Sequence, residues 1–396
     1  MVSSLGLPMV AQTLSPQQFI HWCLQGRWNL QRLHWLQVYV HKQLSREVQN
    51  PKSFWQAVYQ LAQQENLLPL LYGILRHRDI LPPEVEQAFS AAYYSNACRN
   101  SLLLRELTIV LQSFRQRGIP VLVMKGAALA EVVYKDIALR PMSDLDLLIQ
   151  SSQLPQARCA LMDLGYALTG MELHTGYTEE FRSEETWCKS GVIPVAIDLH
   201  WGLLNRLYYQ QRLPLDWLWA TAQPIQVEQT PALTFGTNAQ ILYLSAHLLL
   251  HHDGKGWLWF QDIAEIIALN PDMNWAEIFH QAAAYDLVTP LQRVLTTLVH
   301  QWHVPIPASI LDQLAQIKPS PAEAHVIRYL ETGHLGLRLR LFLADLLGAT
   351  NWRQRLRFAW NTLFPTRAYM QQRYRIPKAL PIWLYYPYRW LRAFRP

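Results

Sequence analysis

The sequence predicts an α+β fold in which a small mixed sheet is embedded between mostly helical regions. Apolar residues recur every three or four positions from Ser15 to about residue 118 and again after Thr237, as in amphipathic helices. Between these regions the pattern changes to short β-branched or alternating runs typical of strands, "PVLVMKG", "SDLDLLI" and "VIPVAIDLHW". The sheet is therefore expected in the middle of the chain.

These changes of pattern divide the chain into four predicted parts. They are an N-terminal helical region, an α/β core, a C-terminal helical region and a basic aromatic tail, at residues 15–118, 119–235, 236–350 and 351–396. The first helical region is predicted to end at Gly118, because glycine is the usual residue after a helix and Pro120 prevents its extension. Within the core, a hairpin is predicted to turn at Ser190 and Gly191.

The composition is that of a folded globular protein. The 396 residues are 51% hydrophobic, which is enough to supply a sizeable core. The four cysteines are far apart and form no CxxC or Cys/His pattern, so neither a zinc site nor a disulfide framework is indicated: Cys23, Cys98, Cys159 and Cys188. No signal peptide and no apolar run of membrane-spanning length is recognised. A cytoplasmic location is expected.

Charge is distributed unevenly along the chain. The net charge is +6, yet the tail 351–396 contains ten Lys or Arg and no Asp or Glu, so the rest of the chain is acidic. The tail also carries twelve aromatic residues. This mixture suits contact with an anionic partner, either nucleic acid or a membrane surface, and it equally suits packing on the acidic body of the protein.

Three acidic residues in apolar strands are the candidate catalytic and metal-binding residues. Asp144 and Asp146 are two residues apart, so they project from the same face of a strand, where their charges repel unless a cation lies between them. Asp198 lies on a separate strand of the same sheet and can reach this pair, with His200 on its own face. Hard oxygen ligands favour Mg²⁺, and three carboxylates on adjacent strands form the ligand set expected of a two-ion phosphoryl-transfer site.

A second group of residues could hold phosphate. Lys125 and Gly126 lie where a strand ends and a helix begins, so free backbone N–H groups and one positive charge would meet an anion there. Arg140 and Ser143 lie just before the acidic strand and are placed in the same role. Together with His200, these are the candidate nucleotide-contacting residues.

The order of these motifs resembles the DNA polymerase β-type nucleotidyltransferase superfamily. The chain is more closely similar to a bacterial family of largely uncharacterised nucleotidyltransferases, through "KGAALAEVVYKDIALRPMSDLDLLI", "IDLHWGL", "LLLHHDGKGWLWFQDIAEII" and "LFPTRAYMQQRY". The resemblance implies a palm-like α/β module that transfers a nucleoside monophosphate from an NTP to an acceptor and releases pyrophosphate. Where the superfamily usually has Gly-Ser or Gly-Gly, this chain has Lys125-Gly126.

Two other functions stay open at this point. His247 and His251 share a helix face, and with Asp262 they suggest a metal-dependent phosphohydrolase, although such enzymes draw their ligands from well-separated helices. The same segment could instead lie near the nucleotide base or the acceptor, or simply pack in the core. A non-catalytic interaction protein that uses the helical regions and the tail is the third possibility.

Overall fold

The computed structural model describes residues 14–41, 51–331, 336–377 and 380–393. The described chain begins with helices, as predicted, and Ser15 caps the first of them by accepting the backbone N–H of Gln18. The longest helix starts with a proline in its first turn and is followed by Gly118 in the left-handed conformation. These helices are α1 Pro16–Gln25, α2 Leu30–Tyr39, α3 Pro51–Gln64, α4 Leu68–Leu75 and α5 Pro83–Gln116.

A seven-stranded mixed sheet follows, in the strand order β3-β4-β5-β2-β1-β7-β6. Two pairs, β2 with β5 and β1 with β7, are parallel, and the other neighbours are antiparallel. The predicted hairpin is present as β4 and β5. The strands are β1 Val121–Val123, β2 Leu145–Ile149, β3 Ala167–Leu168, β4 Glu184–Lys189, β5 Val195–His200, β6 Gln223–Val227 and β7 Thr230–Thr234. The α+β prediction is therefore confirmed.

Short helices connect the strands. The first begins directly after β1 and runs into the π-helical turn Ala130–Tyr134. A second covers the sheet, and the remaining three link strands near its edges. They are α6 Lys125–Leu129, α7 Leu154–Asp163, α8 Tyr177–Phe181, α9 Leu207–Gln210 and α10 Leu215–Ala220.

The C-terminal part returns to helices, again as predicted. No helix among the residues that the structure describes is long and apolar enough to cross a membrane. These helices are α11 Thr237–His252, α12 Trp257–Leu269, α13 Trp275–Ala284, α14 Val288–His300, α15 Ala308–Gln316, α16 Pro321–Glu331, α17 Leu337–Gly348, α18 Trp352–Leu363, α19 Arg367–Tyr374 and α20 Tyr386–Ala393.

The two faces of the sheet belong to different hydrophobic cores. Leu145 and Leu147 of β2 pack with α7 and the C-terminal half of α5. Leu148, on the opposite face, packs with the large helical core that joins α1–α4 to α11–α14. Because successive side chains of a strand alternate between faces, Asp146 must point toward the helical core together with Leu148. The acidic face of the sheet is therefore the face covered by the C-terminal helices.

Candidate active site

Strand register brings the two central acids together. β2 and β5 are parallel, and Asp146 lies directly opposite Asp198, with Leu148 opposite His200. Adjacent strands are about 4.8 Å apart, so the carboxylates of directly opposed residues on one face are neighbours. One oxygen of Asp146, one oxygen of Asp198 and one ring nitrogen of His200 lie within 4.8 Å of one another.

Asp146 is the buried centre of this arrangement. It is 3% exposed, and its Oδ1 accepts hydrogen bonds from Lys125 Nζ at 2.6 Å and His200 Nε2 at 3.0 Å. Burial alone would raise the pKa of Asp146, but the Lys125 and His200 contacts outweigh burial and lower it to about 2. The pKa of Lys125 is raised in turn, because Tyr243 and the Asp146 carboxylate outweigh the effect of burial. Asp146 is therefore ionised at neutral pH.

The other two acids are less well compensated. Asp198 accepts one hydrogen bond, from Thr186 Oγ1 at 2.6 Å, because Thr186 lies directly opposite it on β4. Burial raises the pKa of Asp198, Thr186 opposes this, and the charge of Asp146 adds to the increase. Burial and Asp146 likewise raise the pKa of Asp144, which lies just before β2. Both side chains hold negative charge that lacks a full counter-charge.

Lys125 reaches Asp146 from an unusual backbone conformation. Its φ is +46°, in the left-handed region that favours glycine. Gly126 follows, and a Cβ there would lie 2.8 Å from Cγ of the buried Met142. The turn after β1 thus packs closely against the segment before β2, and this contact explains why glycine occupies position 126.

Arg140 has a structural partner that the sequence did not indicate. The residue is 6% exposed, and its guanidinium makes a bidentate pair with Asp262 on α12, with Nε–Oδ1 at 2.9 Å and Nη2–Oδ2 at 2.7 Å. Tyr134 also donates to Asp262 Oδ1, at 2.8 Å. Nη1 contacts the Pro141 carbonyl and borders the space beside Gly126. The Arg140–Asp262 pair ties the segment before the acidic strand to the helical layer.

The acids open into a cavity of about 460 Å³, called the acidic cleft below. The predicted site residues that line it include both acidic and basic side chains. His200 is the one predicted site residue that does not line the cavity, because it is buried beneath the wall. Those that line the cleft are Lys125, Gly126, Arg140, Ser143, Asp144, Asp146 and Asp198, joined by Glu184. Because Asp262 balances Arg140, Lys125 is left to oppose four carboxylates on the wall of the cleft.

The donor set fits a hard divalent cation. Carboxylate oxygens are the ligands that Mg²⁺ prefers, and an excess of negative charge within one cleft favours a cation. His200 Nε2 points at Asp146 Oδ1, and Nδ1 lies 3.2 Å from Glu184 Oε2 without hydrogen-bond geometry. Because its Nε2 is already engaged by Asp146, His200 fits the role of orienting that carboxylate better than the role of a ligand.

Part of the cleft wall is aromatic. His247, His251 and His252 of α11, the histidine cluster, line it together with Trp259. The His247 and His251 rings stack at 4.8 Å between centroids, and His252 stacks on Trp259 at 3.5 Å. Burial, and then the charges of nearby groups including Lys125, lower the pKa of all three imidazoles, to about 3 for His251 and about 4 for His252. The three imidazoles are therefore uncharged at neutral pH, and the rings form two stacked pairs.

The structure does not assemble the residues of the possible phosphohydrolase. Both oxygens of Asp262 are engaged by Arg140, and Tyr134 donates to one of them, so this carboxylate is not available to the histidines. Among the described residues, the group of three or more side chains that could hold a metal is Asp146, Asp198 and His200. Asp144, which the sequence included in the ligand set, lines the same cleft but is not a member of this group.

The sequence that forms this cleft matches a known protein family. The family described as "Uncharacterised nucleotidyltransferase" matches residues 51–303. This chain belongs to that family. The match contains every residue of the acidic cleft and ends before the basic tail, and it confirms the predicted relationship to nucleotidyltransferases. A search of curated proteins gives no match.

Acidification is expected to destabilise this nucleotidyltransferase-family fold through the histidine cluster. The folded-state pKa values of His251 and His252 lie below the ordinary value of 6.5, at about 3 and about 4. At these two histidines the unfolded chain therefore binds more protons than the folded chain below about pH 6.5, so their contribution lowers the free energy of unfolding from there toward pH 4. Urea unfolding followed by circular dichroism at several pH values measures this slope.

A matched pair of variants isolates the contribution of the cluster. His251→Gln should show a shallower loss between pH 6.5 and 4, since one neutral imidazole no longer has to be protonated on unfolding. His300→Gln, at an exposed position on α14, should keep the wild-type slope. An unchanged slope in His251→Gln would show that this imidazole does not contribute.

Proposed function

We propose that the protein transfers a nucleoside monophosphate from an NTP to an acceptor, with Mg²⁺ as cofactor and pyrophosphate as the second product. The observation that carries this proposal is the direct opposition of Asp146 and Asp198 in the parallel register of β2 and β5, at the wall of a cleft. Family membership supports the general reaction, and the donor set supports the cation. The oxygen ligands would be Asp144, Asp146 and Asp198.

The reaction follows from the positions of these side chains. Bound Mg²⁺ would neutralise phosphate charge and stabilise the attacking and leaving oxygens. The acceptor's hydroxyl oxygen would bond to the α-phosphorus of the NTP, and Asp198 would take the proton of that hydroxyl. The bond from the α-phosphorus to the bridging oxygen would break at the same time, and pyrophosphate would leave. The raised pKa of Asp198 supports this role, because a carboxylate that is harder to ionise is a stronger base.

Lys125 and Gly126 would contact the triphosphate. The Lys125 side chain is 17% exposed and lines the cleft, so its charge is accessible to a ligand. Ser143 is exposed at the same rim. Arg140 would act chiefly as a positioning residue, because Nε and Nη2 are engaged by Asp262 and only Nη1 faces the cleft side.

The histidine cluster and Trp259 would hold the base of the nucleotide. Stacked neutral rings provide a surface for a nucleobase, because the π-face of any of the bases can pack on aromatic side chains. The rings and the carboxylates line the same cleft, so a nucleotide could place its base on the rings and its phosphates near Asp146. This agrees with the sequence-based alternative in which the histidines of α11 lie near the nucleotide base and do not form a second metal site.

Mg²⁺-dependent NTP binding tests the proposed function. Isothermal titration of ATP, GTP, CTP and UTP should detect binding of at least one NTP in Mg²⁺ and at least tenfold weaker binding in EDTA. Asp144→Asn should weaken the Mg²⁺-dependent binding by a similar factor, since it removes one charged ligand from a partly exposed position. Asp312→Asn, the same change at an exposed residue of α15, should bind like the wild type.

The two other functions predict different results, the first in an assay of phosphate release and the second in the same titration. A phosphohydrolase would lose activity in His251→Ala and not in Asp146→Ala, and it would release product without an acceptor. A non-catalytic interaction protein would bind no NTP in Mg²⁺. Either result would overturn the proposal.

A further inference from the structure

A second cavity, lined by arginines, lies outside the acidic cleft. It measures about 390 Å³ and is enclosed by α17–α20 together with the segments that precede β4 and α9. This arginine cavity shares no lining residue with the acidic cleft. Its six arginines are Arg182, Arg206, Arg338, Arg373, Arg389 and Arg392.

The positive charge of this cavity is largely uncompensated. Asp345 is the single acid among its lining residues, and it is 4% exposed. Asp345 accepts the Leu207 N–H at 3.2 Å and lies 4.0 Å from Arg182 Nη1. Within the part of the chain that the structure describes, Arg338, Arg373 and Arg389 form no ion pair. One carboxylate thus faces six guanidinium groups.

Arg206 gives independent evidence for a ligand. The residue is 9% exposed, its Nη1 donates to the Asn205 carbonyl at 2.8 Å, and its buried Nε has no hydrogen-bond partner among the described residues. Burial lowers the pKa of Arg206; Asp345 opposes this and the nearby Arg182 adds to it. A buried guanidinium with an unpaired N–H is costly unless an anion occupies the space beside it.

We propose that the arginine cavity binds a small molecule that carries two or more phosphate groups. Guanidinium groups match phosphate oxygens in pairs, and six arginines against one acid require more charge than a single phosphate supplies. Phe358, Tyr369 and Tyr374 add an aromatic side to the cavity, which suits an organic group attached to the phosphates. The enclosure by several elements favours a small ligand over a nucleic acid strand or a bilayer surface.

Most arginines of the cavity lie beyond the residues that the family match covers. Four of the six arginines, from Arg338 onward, lie after residue 303, where the family match ends. The basic tail therefore contributes three arginines to this cavity, while other tail arginines such as the exposed Arg353 lie outside it. The proposal does not depend on nucleotidyl transfer, so a binding measurement tests it separately.

Titration of inorganic pyrophosphate into the full chain in EDTA is the decisive experiment. Without Mg²⁺ the carboxylates of the acidic cleft repel the anion, so heat of binding reports on the arginine cavity. We expect saturable binding near one equivalent, tighter than that of orthophosphate. Arg373→Gln, at an exposed position, and Arg206→Gln should each bind about tenfold more weakly, since each removes charge-assisted hydrogen bonds.

Matched variants decide where the anion binds. Arg353→Gln removes the same charge outside the cavity, and Asp198→Asn alters the acidic cleft; both should bind pyrophosphate like the wild type. The affinities of ADP and fructose 1,6-bisphosphate, measured in the same way, identify which organic group the aromatic side accepts. If pyrophosphate binds more tightly than either, an inorganic ligand is indicated. The proposal is overturned by absence of binding, by unchanged binding in Arg373→Gln and Arg206→Gln, or by tighter binding of a single-stranded oligonucleotide or anionic vesicles.

Discussion

Asp198→Asn is expected to abolish nucleotidyl transfer while the protein stays folded. The substitution removes the charge of one ligand and the group that would take the acceptor's proton, yet keeps the carbonyl oxygen that accepts the Thr186 hydrogen bond. Loss of a single preorganised electrostatic group costs about 10²–10³-fold in rate, and loss of a ligand charge and a base together should reach at least about 10³-fold. Labelled-NTP transfer to acceptors in a cell extract, detected by mass shift, measures the effect.

The controls separate chemistry from folding. Asp312→Asn makes the same chemical change away from the cleft and should keep full activity. The urea midpoint of Asp198→Asn should be close to that of the wild type, or above it, because the folded state raises the pKa of this carboxyl and so disfavours its charge. Full activity in purified Asp198→Asn would contradict the assignment of Asp198.

The acids of the site could be predicted from the sequence because each of them lies within an apolar strand or directly before one. Asp144 and Asp146 are two residues apart, and Asp198 stands in an apolar alternation of its own, so no tertiary information was needed to group them. The structure lines one cleft with all three. Helical regions were equally predictable, because a stripe of apolar residues at helical spacing is a local property.

Thr186 was missed because the connection between β4 and β5 is longer than predicted. A two-residue turn at Ser190 and Gly191 would have placed Ser183 opposite Asp198. The strands instead end at Lys189 and resume at Val195, which shifts the register and puts Thr186 there. The hairpin of β6 and β7 was also missed, since each strand contains a proline, and β6 lies at the edge of the sheet, where proline is tolerated.

Pairing of charged side chains could not be predicted at all. Arg140 and Asp262 are 122 residues apart, and nothing near either residue selects the other. The histidine cluster reaches the cleft only because α11 packs over the acidic face of the sheet, and the arginine cavity forms only because the tail folds back beside β4 and α9. Such contacts depend on the complete tertiary arrangement.

The left-handed backbone of Lys125 suggests that its side chain is needed for function. A non-glycine residue at positive φ costs on the order of 1 kcal/mol, and glycine would remove that cost. The resemblance places Lys125 where related motifs usually have glycine. This chain instead has a residue with a strained backbone there, and that residue brings a positive charge to 2.6 Å from Asp146. In the absence of a cation, Lys125 supplies the counter-charge that this buried carboxylate needs.

Lys125→Met is therefore expected to destabilise the metal-free protein by about 3 kcal/mol, because it leaves Asp146 buried with His200 as its remaining hydrogen-bond donor. Lys135→Met is the matched control: Lys135 also has a positive φ, of +54°, but it is exposed, so this variant should lose less than about 0.5 kcal/mol. Urea unfolding in EDTA measures both. Mg²⁺ should restore more stability to Lys125→Met than to the wild type, since a cation bound at Asp146 replaces the missing charge. Equal losses in the two variants, or no difference in the response to Mg²⁺, would show that Lys125 does not compensate the charge of Asp146.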